Sequence, residues 1–349
     1  MENESGGLDK RKAYILATVV YEYIATGEPV GSQALTQKYN LGVSSATVRN
    51  EMADLEAGGF LEQPHTSAGR VPSDAGYRTY VDALMSPEEL GVDERRRIRD
   101  EMRDARAQLD EIVEQSSRLL GRLANNLAFV TKPQSETQLF RHVQLIWIGD
   151  RSGIAVVVTS LGVASQSLFE LRRDVTPDDL TRLSNALNAQ LAGRTMRECD
   201  DRSIALVVAN CGFGEDILGA VTTAFLNART QELPGIAASG AQHLLDQPEF
   251  RDVRKLRSIL RIIEEQRTLY DLVADAFDQS TASVKIGHEL GSEELADLSL
   301  VTVPYRFGDR AVGMLSILGP RRMPYARLLA LASGTAETLS ERLNDVEIK

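Results

Sequence analysis

Four breaks fall so close together in the first 84 residues that only short helices joined by tight turns fit between them. Thr26-Gly27-Glu28-Pro29 must stop a preceding helix, because glycine ends helices and proline restricts the residue before it. Asn40-Leu41-Gly42-Val43 reads as a tight turn with Gly42 free to take positive φ. Gly58-Gly59 is a further stop, and His65-Thr66-Ser67-Ala68-Gly69 is the loop at a hairpin tip. Ahead of the first break, Leu16, Val19, Val20, Tyr23 and Ile24 share one face of a helix over 11–25. Ser32 caps a short second helix reaching 39, and Ser44 caps a third over 45–57. Short strands are expected at 60–63 and 70–71, and Pro72-Ser73-Asp74 opens a fourth helix reaching 84. This order predicts a winged helix-turn-helix over 1–86, a DNA-binding unit.

In the third helix, Val48, Met52 and Leu55 fall within an arc of about 60° and form its packing face. Ala46, Asn50 and Ala53 lie opposite, flanked by Thr47 and Arg49. Small residues let a helix backbone approach the major groove, while asparagine can pair with adenine and arginine with guanine or phosphate. Ser44 and Ser45, at the positive end of the helix, suit phosphate oxygens. Taken alone, the pattern also fits an ordinary exposed helix. The hairpin tip tips the balance: His65, Thr66, Ser67 and the following Arg70 offer donors and a cation with little bulk, as a backbone or minor-groove contact needs. The candidate DNA contacts are therefore Ser44, Ser45, Ala46, Thr47, Arg49, Asn50, His65, Thr66, Ser67 and Arg70.

Charge argues the other way. The formal net charge is -11, and residues 1–84 hold seven Lys/Arg against eleven Asp/Glu, a local net of -4. DNA binders usually present a basic surface. Binding depends on one face, though, and an acidic body suppresses tight binding to random DNA.

Ser86-Pro87 marks the first boundary. A charged helix over 87–127 then carries Ile98, Met102, Ala105, Leu109, Ile112, Ser116, Leu119 and Leu123 in 4,3 alternation. That seam fits a coiled coil; the preferred reading is a long helix laid across a sheet. Beyond it, strands are expected at 143–148, 154–159, 163–171, 204–209, 283–287, 298–306 and 311–318. Helices are expected at 177–191, 217–228, 252–276 and 325–343. The fold class is α+β multidomain. Residues 128–162 with 236–349 form a sandwich of helices on a sheet, interrupted by an insertion over 163–235 that is the first choice for a dimer contact.

Several strings are more specific than a generic helix-turn-helix. Gly27-Glu28-Pro29-Val30-Gly31-Ser32, Ser44-Ser45-Ala46-Thr47-Val48-Arg49-Asn50-Glu51-Met52 and Pro64-His65-Thr66-Ser67-Ala68-Gly69-Arg70-Val71-Pro72 resemble the heat-inducible transcription repressor HrcA family. Gly76-Tyr77-Arg78 matches too, and, more loosely, so do Pro248-Glu249-Phe250 and the segment from Gly313 to Pro320. The resemblance implies a winged helix, a GAF-like domain and a dimerising insertion within it. It also implies a homodimer that represses chaperone operons at an inverted-repeat operator in double-stranded DNA, kept active by the chaperonin GroEL.

Other chemistry finds little support. Cys211-Gly212-Phe213-Gly214 half-imitates a dinucleotide fingerprint, but a third glycine falls at 219 instead of 217. The two cysteines and four histidines have no metal-ligand spacing, and no nucleophile, base or carboxylate set can be singled out. No enzyme activity, metal or cofactor is expected. The polar N-terminus and the lack of a long apolar run predict a cytoplasmic protein, nucleoid-associated when bound to its operator, with no membrane partner. The alternative function is a GAF-type regulator that senses a small-molecule effector.

Overall fold

The computed structural model describes residues 8–66, 68–103, 109–149, 151–170, 175–229, 235–250, 253–279 and 281–345. The expectations at Ser67 and Ala105 lie outside these residues. Helix α1 (Lys10–Thr26) begins where the Asp9 carboxylate accepts from the backbone N–H groups of Arg11 and Lys12, both at 2.9 Å, and ends at Gly27 with φ 71°. Helices α2 (Ser32–Lys38) and α3 (Ser45–Ala57) follow. Ser44 caps α3 as expected, but Ser32 is the first residue of α2 and its N-cap position is held by Gly31, which has no side chain to bond the helix start. Val48, Met52 and Leu55 are buried on Leu16, Val19 and Val20 of α1 and Leu35 of α2. Strands β1 (Leu61–Glu62) and β2 (Val71–Pro72) pair antiparallel. Helix α4 (Asp74–Thr79) then runs into one π-helical turn, Tyr80–Leu84.

The heptad seam splits into α5 (Val92–Glu101) and α6 (Leu109–Ala124). Ile98, Met102, Ile112, Ser116 and Leu119 are buried in the body, whereas Leu123 is 40% exposed. The seam is therefore spent on packing within the chain, as a helix on a sheet requires.

Strand β3 (Leu127–Thr131) enters the body, and the chain then leaves it. Strands β4 (Phe140–Gly149), β5 (Ser152–Thr159) and β6 (Gly162–Glu170) form a separate three-stranded antiparallel sheet. Helices α7 (Pro177–Leu191), α8 (Asp201–Asn210) and α9 (Glu215–Arg229) complete that unit. One core joins them, running from Phe140, Val143 and Leu145 to Phe225 and Ala228. Two expectations are corrected here. The border expected at 162/163 falls inside β6, so 128–162 does not belong wholly to the body: β4 pairs with β5, and β5 pairs with β6. The strand expected at 204–209 is helix α8, because Asp200 caps it through the Ser203 N–H at 2.8 Å and Ile204, Val207 and Val208 bury at helical spacing.

The body resumes with β7 (Ile236–Ser239), α10 (Ala241–Leu245), α11 (Val253–Glu264) and α12 (Gln266–Gln279). It closes with β8 (Ser283–Ile286), β9 (Leu298–Phe307), β10 (Arg310–Pro320) and α13 (Tyr325–Asp345). Its sheet has the order β7-β3-β10-β9-β8, antiparallel throughout. Leu315, Ile317, Val301 and Val303 face α6 and α13, while Leu127, Phe129, Leu300 and Leu318 face α11 and α12. The first of these two cores is continuous with that of the N-terminal unit.

Candidate nucleic-acid interface

A cleft of about 730 Å³ separates the start of α3 from the β1–β2 hairpin; Ser45, Ala46 and Arg49 line one wall and Thr66, Ala68 and Arg70 another. The α3 wall is presented by its cap. Ser44 Oγ accepts from the Thr47 N–H at 3.1 Å and lies 2.9 Å from the Thr47 hydroxyl, so both hydroxyls are engaged with each other. Ala46, Arg49 and Asn50 are exposed, with Ser45 and Thr47 half-buried.

The hairpin wall is built by close backbone packing. The Val30 N–H donates to the Arg70 carbonyl and the Arg70 N–H to the Val30 carbonyl, each at 2.9 Å, so the α1–α2 connection is bridged to the hairpin by one antiparallel pair. Gly69 makes this possible: a Cβ there would lie 2.4 Å from both C and O of Val30. Gln63 Nε2 donates to the carbonyls of Thr66 and Ala68, both at 3.0 Å, and holds the tip in shape. His65 and Thr66 are exposed on that tip.

Arg70 differs from its expected role as a free cation. Its Nε and Nη2 lie 2.8 and 2.7 Å from Glu56 Oε2, and its side chain is 19% exposed. It ties the hairpin to α3. The other carboxylates of α3 are answered in the same way: Lys12 lies 3.0 Å from Asp54 and 3.8 Å from Glu51, which Arg11 also approaches at 3.6 Å. Arg49, by contrast, has no ion-pair partner among the described residues. Each α3 carboxylate is thus faced by a cation, although the net charge of the unit is unchanged, and Arg49 stands at the cleft. Sequence reasoning missed Glu56, Gln63 and Asp74; only the short spacing of the 64–72 string hinted at a built loop.

Asp74, the first residue of α4, docks the unit on the body. Its Oδ2 accepts from the His288 N–H at 3.0 Å and lies 2.7 Å from His288 Nδ1; Arg321 donates to Oδ1 at 2.7 Å. Partial burial pushes the Asp74 carboxyl up, but the bonds from Arg321 and His288 outweigh it and hold the group below the usual aspartate range. The hydrogen bond to Asp74 holds the His288 imidazole above its ordinary value. One turn on, Arg78 donates to the Val284 carbonyl at 2.6 Å and pairs with Glu289. Between them Tyr77 packs edge-on against Tyr325, ring centroids 6.0 Å apart.

The glycine turn at 211–214 joins α8 to α9. No strand leads into it, as a dinucleotide site requires.

A family profile described as the HrcA protein C terminal domain matches residues 110–329. The heat-inducible transcription repressor HrcA of Pelotomaculum thermopropionicum is 36% identical over 340 residues, covering 97% of this chain and 98% of that protein. The repressor of the same name from Symbiobacterium thermophilum is 37% identical over 341 residues, covering 96% of this chain and 98% of the relative. A crystal structure titled only as a hypothetical protein superposes with a TM-score of 0.59 at 24% identity, covering 97% of this chain and 98% of that one, a likeness of fold. With its profile match and two near-full-length relatives above 30% identity, the chain belongs to the heat-inducible transcription repressor HrcA family.

Proposed function

We propose that the protein is a dimeric, sequence-specific repressor of chaperone operons in the cytoplasm, bound on the nucleoid to an inverted-repeat operator. In this reading the N-terminal unit is a winged helix-turn-helix. Helix α3 lies in the major groove with Ala46 against it, Asn50 reading a base edge and Arg49 reaching guanine or phosphate. Ser44, Ser45 and Thr47 sit by the phosphates at the helix start, and His65, Thr66 and Ser67 meet the backbone or minor groove. Arg70 works from inside, bracing the wing on α3. The observation that carries the reading is the cleft that sets the exposed start of α3 opposite the hairpin tip, with Arg49 unpaired at its wall.

The body is proposed to be GAF-like and the 140–229 unit to be the dimer contact. Support comes from the outer face of its sheet, where Ile146 pairs with Ile154 and Ile154 with Leu168. Ile146, Ile148 and Leu168 are 43%, 52% and 75% exposed, an apolar strip that a second copy would cover. Control by the chaperonin GroEL rests on family membership; a body interrupted by a long insertion pairs distant segments and folds slowly. Selecting bound sequences from a random DNA pool tests the core of the proposal. Recovery of an inverted repeat is the expected result, and recovery of no sequence preference would overturn it.

A further inference from the structure

We infer that the Asp74 carboxylate is a positioning residue that sets how strictly the protein discriminates the spacing between two operator half-sites. The inference rests on the dimeric DNA-binding reading above and adds to it a joint that fixes the reading head on the body.

Strand β2, Ser73 and α4 are consecutive, so the wing and the docking residue share one short run of chain. Ser73 ties that run to the end of α3: its Oγ donates to the Gly59 carbonyl at 2.6 Å and accepts from the Gly76 N–H at 3.1 Å. Asp74 then receives three donors from the body, the His288 N–H, the His288 ring and Arg321. The fit is close from the other side too. Gly287 has φ +54°, and a Cβ there would lie 2.2 Å from Asp74 Oδ2. Arg78, one turn along, grips the Val284 carbonyl and Glu289. Two rows of contact a helical turn apart resist both sliding and rotation of the unit.

In a two-fold dimer the two recognition helices must meet successive major-groove faces about 34–36 Å apart. Adding one base pair shifts the second half-site by roughly 3.4 Å and rotates it by about a tenth of a turn. A locked joint cannot follow that change and forfeits part of the gain from the second contact, whereas a loose joint swivels and keeps it.

The test uses the full-length protein as wild type, Asp74→Asn and Gly287→Ala, titrated on operators whose spacer is altered by one base pair and on a single half-site. Asp74→Asn weakens the latch from the DNA-binding side; Gly287→Ala forces it open from the body and leaves the DNA-binding unit unaltered. Wild type should lose about tenfold in affinity for each one-base-pair change, and both variants less than about threefold, with half-site affinity unchanged. Should Gly287→Ala fail to fold, Asp74→Asn carries the comparison. Sharp discrimination retained in the folded variants would overturn the inference and leave the parent reading intact, as would a wild type indifferent to spacing. A wild type that prefers no operator at all would overturn both.

Discussion

Gly69→Ala should loosen the wing, and the sign of its effect is decided by space. The φ of Gly69 lies outside the left-handed region, so alanine fits the backbone there. On chain entropy alone the substitution would stabilise by about 0.4–1 kcal/mol. The new methyl, however, would sit 2.4 Å from C and O of Val30 and 2.8 Å from C of Pro29, all backbone atoms that cannot swing aside. Relief requires the strands to part, which breaks the two 2.9 Å hydrogen bonds between Val30 and Arg70. At about 1 kcal/mol each, their loss outweighs the entropic gain and leaves a net destabilisation of about 1–1.5 kcal/mol. Hydrogen exchange at the Val30 and Arg70 amides reads this directly: protection should fall about tenfold. Gly31→Ala is the control, since Gly31 lines the same cleft, has φ -96°, and a Cβ there meets nothing within 4 Å. Undiminished protection in Gly69→Ala, or an equal loss in Gly31→Ala, would refute the close-approach argument.

Asn50→Ala should cost about 1–3 kcal/mol of operator binding and relax preference at one base pair per half-site; titration on operator variants with unchanged base preference would remove Asn50 from the readout. A double-mutant cycle of Arg70→Ala and Glu56→Ala, read by wing amide exchange, should give a coupling of about 1 kcal/mol, and zero coupling would show that the pair does not brace the wing. Leu168→Asp puts a charge in the apolar strip of the inserted sheet and should shift sedimentation toward monomer, whereas an unchanged dimer would move the contact elsewhere. The joint should also weaken with rising pH. The folded-state value of His288 is raised above 6.5 by Asp74, so the stability it adds is full below that value and is lost as pH rises through the higher folded one. Exchange at the α4–body contact should track that window, and His288→Gln should abolish the dependence.

How legible the fold was depended on whether punctuation or periodicity carried the signal. In the first 84 residues most breaks are marked by a glycine, a proline or a capping side chain, and those residues act locally; Asp9 and Gly27 bound α1, Gly31 precedes α2, and Ser44 caps α3. The run 204–209 has no such bound on its apolar side, and a short stretch of Ile, Leu and Val fits a buried strand or a helix equally. Asp200 settled it as an N-cap, a signal present in the sequence and overlooked. Strands β3 and β7 escaped for a different reason. They are short, β3 is buried along its whole length and shows no alternation, and the two pair only because the chain returns after the inserted unit. The misplaced border at 162/163 has the same origin. Strand β5 is apolar enough for either sheet, and its pairing with β4 and β6 over the core shared with α7, α8 and α9 assigns it.

The candidate interface shows the same division between what a residue type can do and what its neighbours let it do. Helical geometry alone puts Ala46 and Asn50 opposite the packing face of α3, and both are exposed there. Arg70 was legible as a cation near a hairpin tip but not as the partner of Glu56, because the hairpin fold brings residues 14 apart within 2.7 Å. That pairing changes what the charge can do. A guanidinium held at 2.7–2.8 Å by a half-buried carboxylate adds little net attraction for phosphate, yet it stiffens the angle between wing and helix. The negative balance of residues 1–84 bears on this as well: with Glu51, Asp54 and Glu56 each facing a cation, the proposed interface relies on Arg49 and on backbone N–H groups for its positive charge. In the proposed reading, selectivity depends on placing few contacts accurately, and the Val30–Arg70 bridge, the Gln63 clamp and the Asp74 joint would all serve that placement.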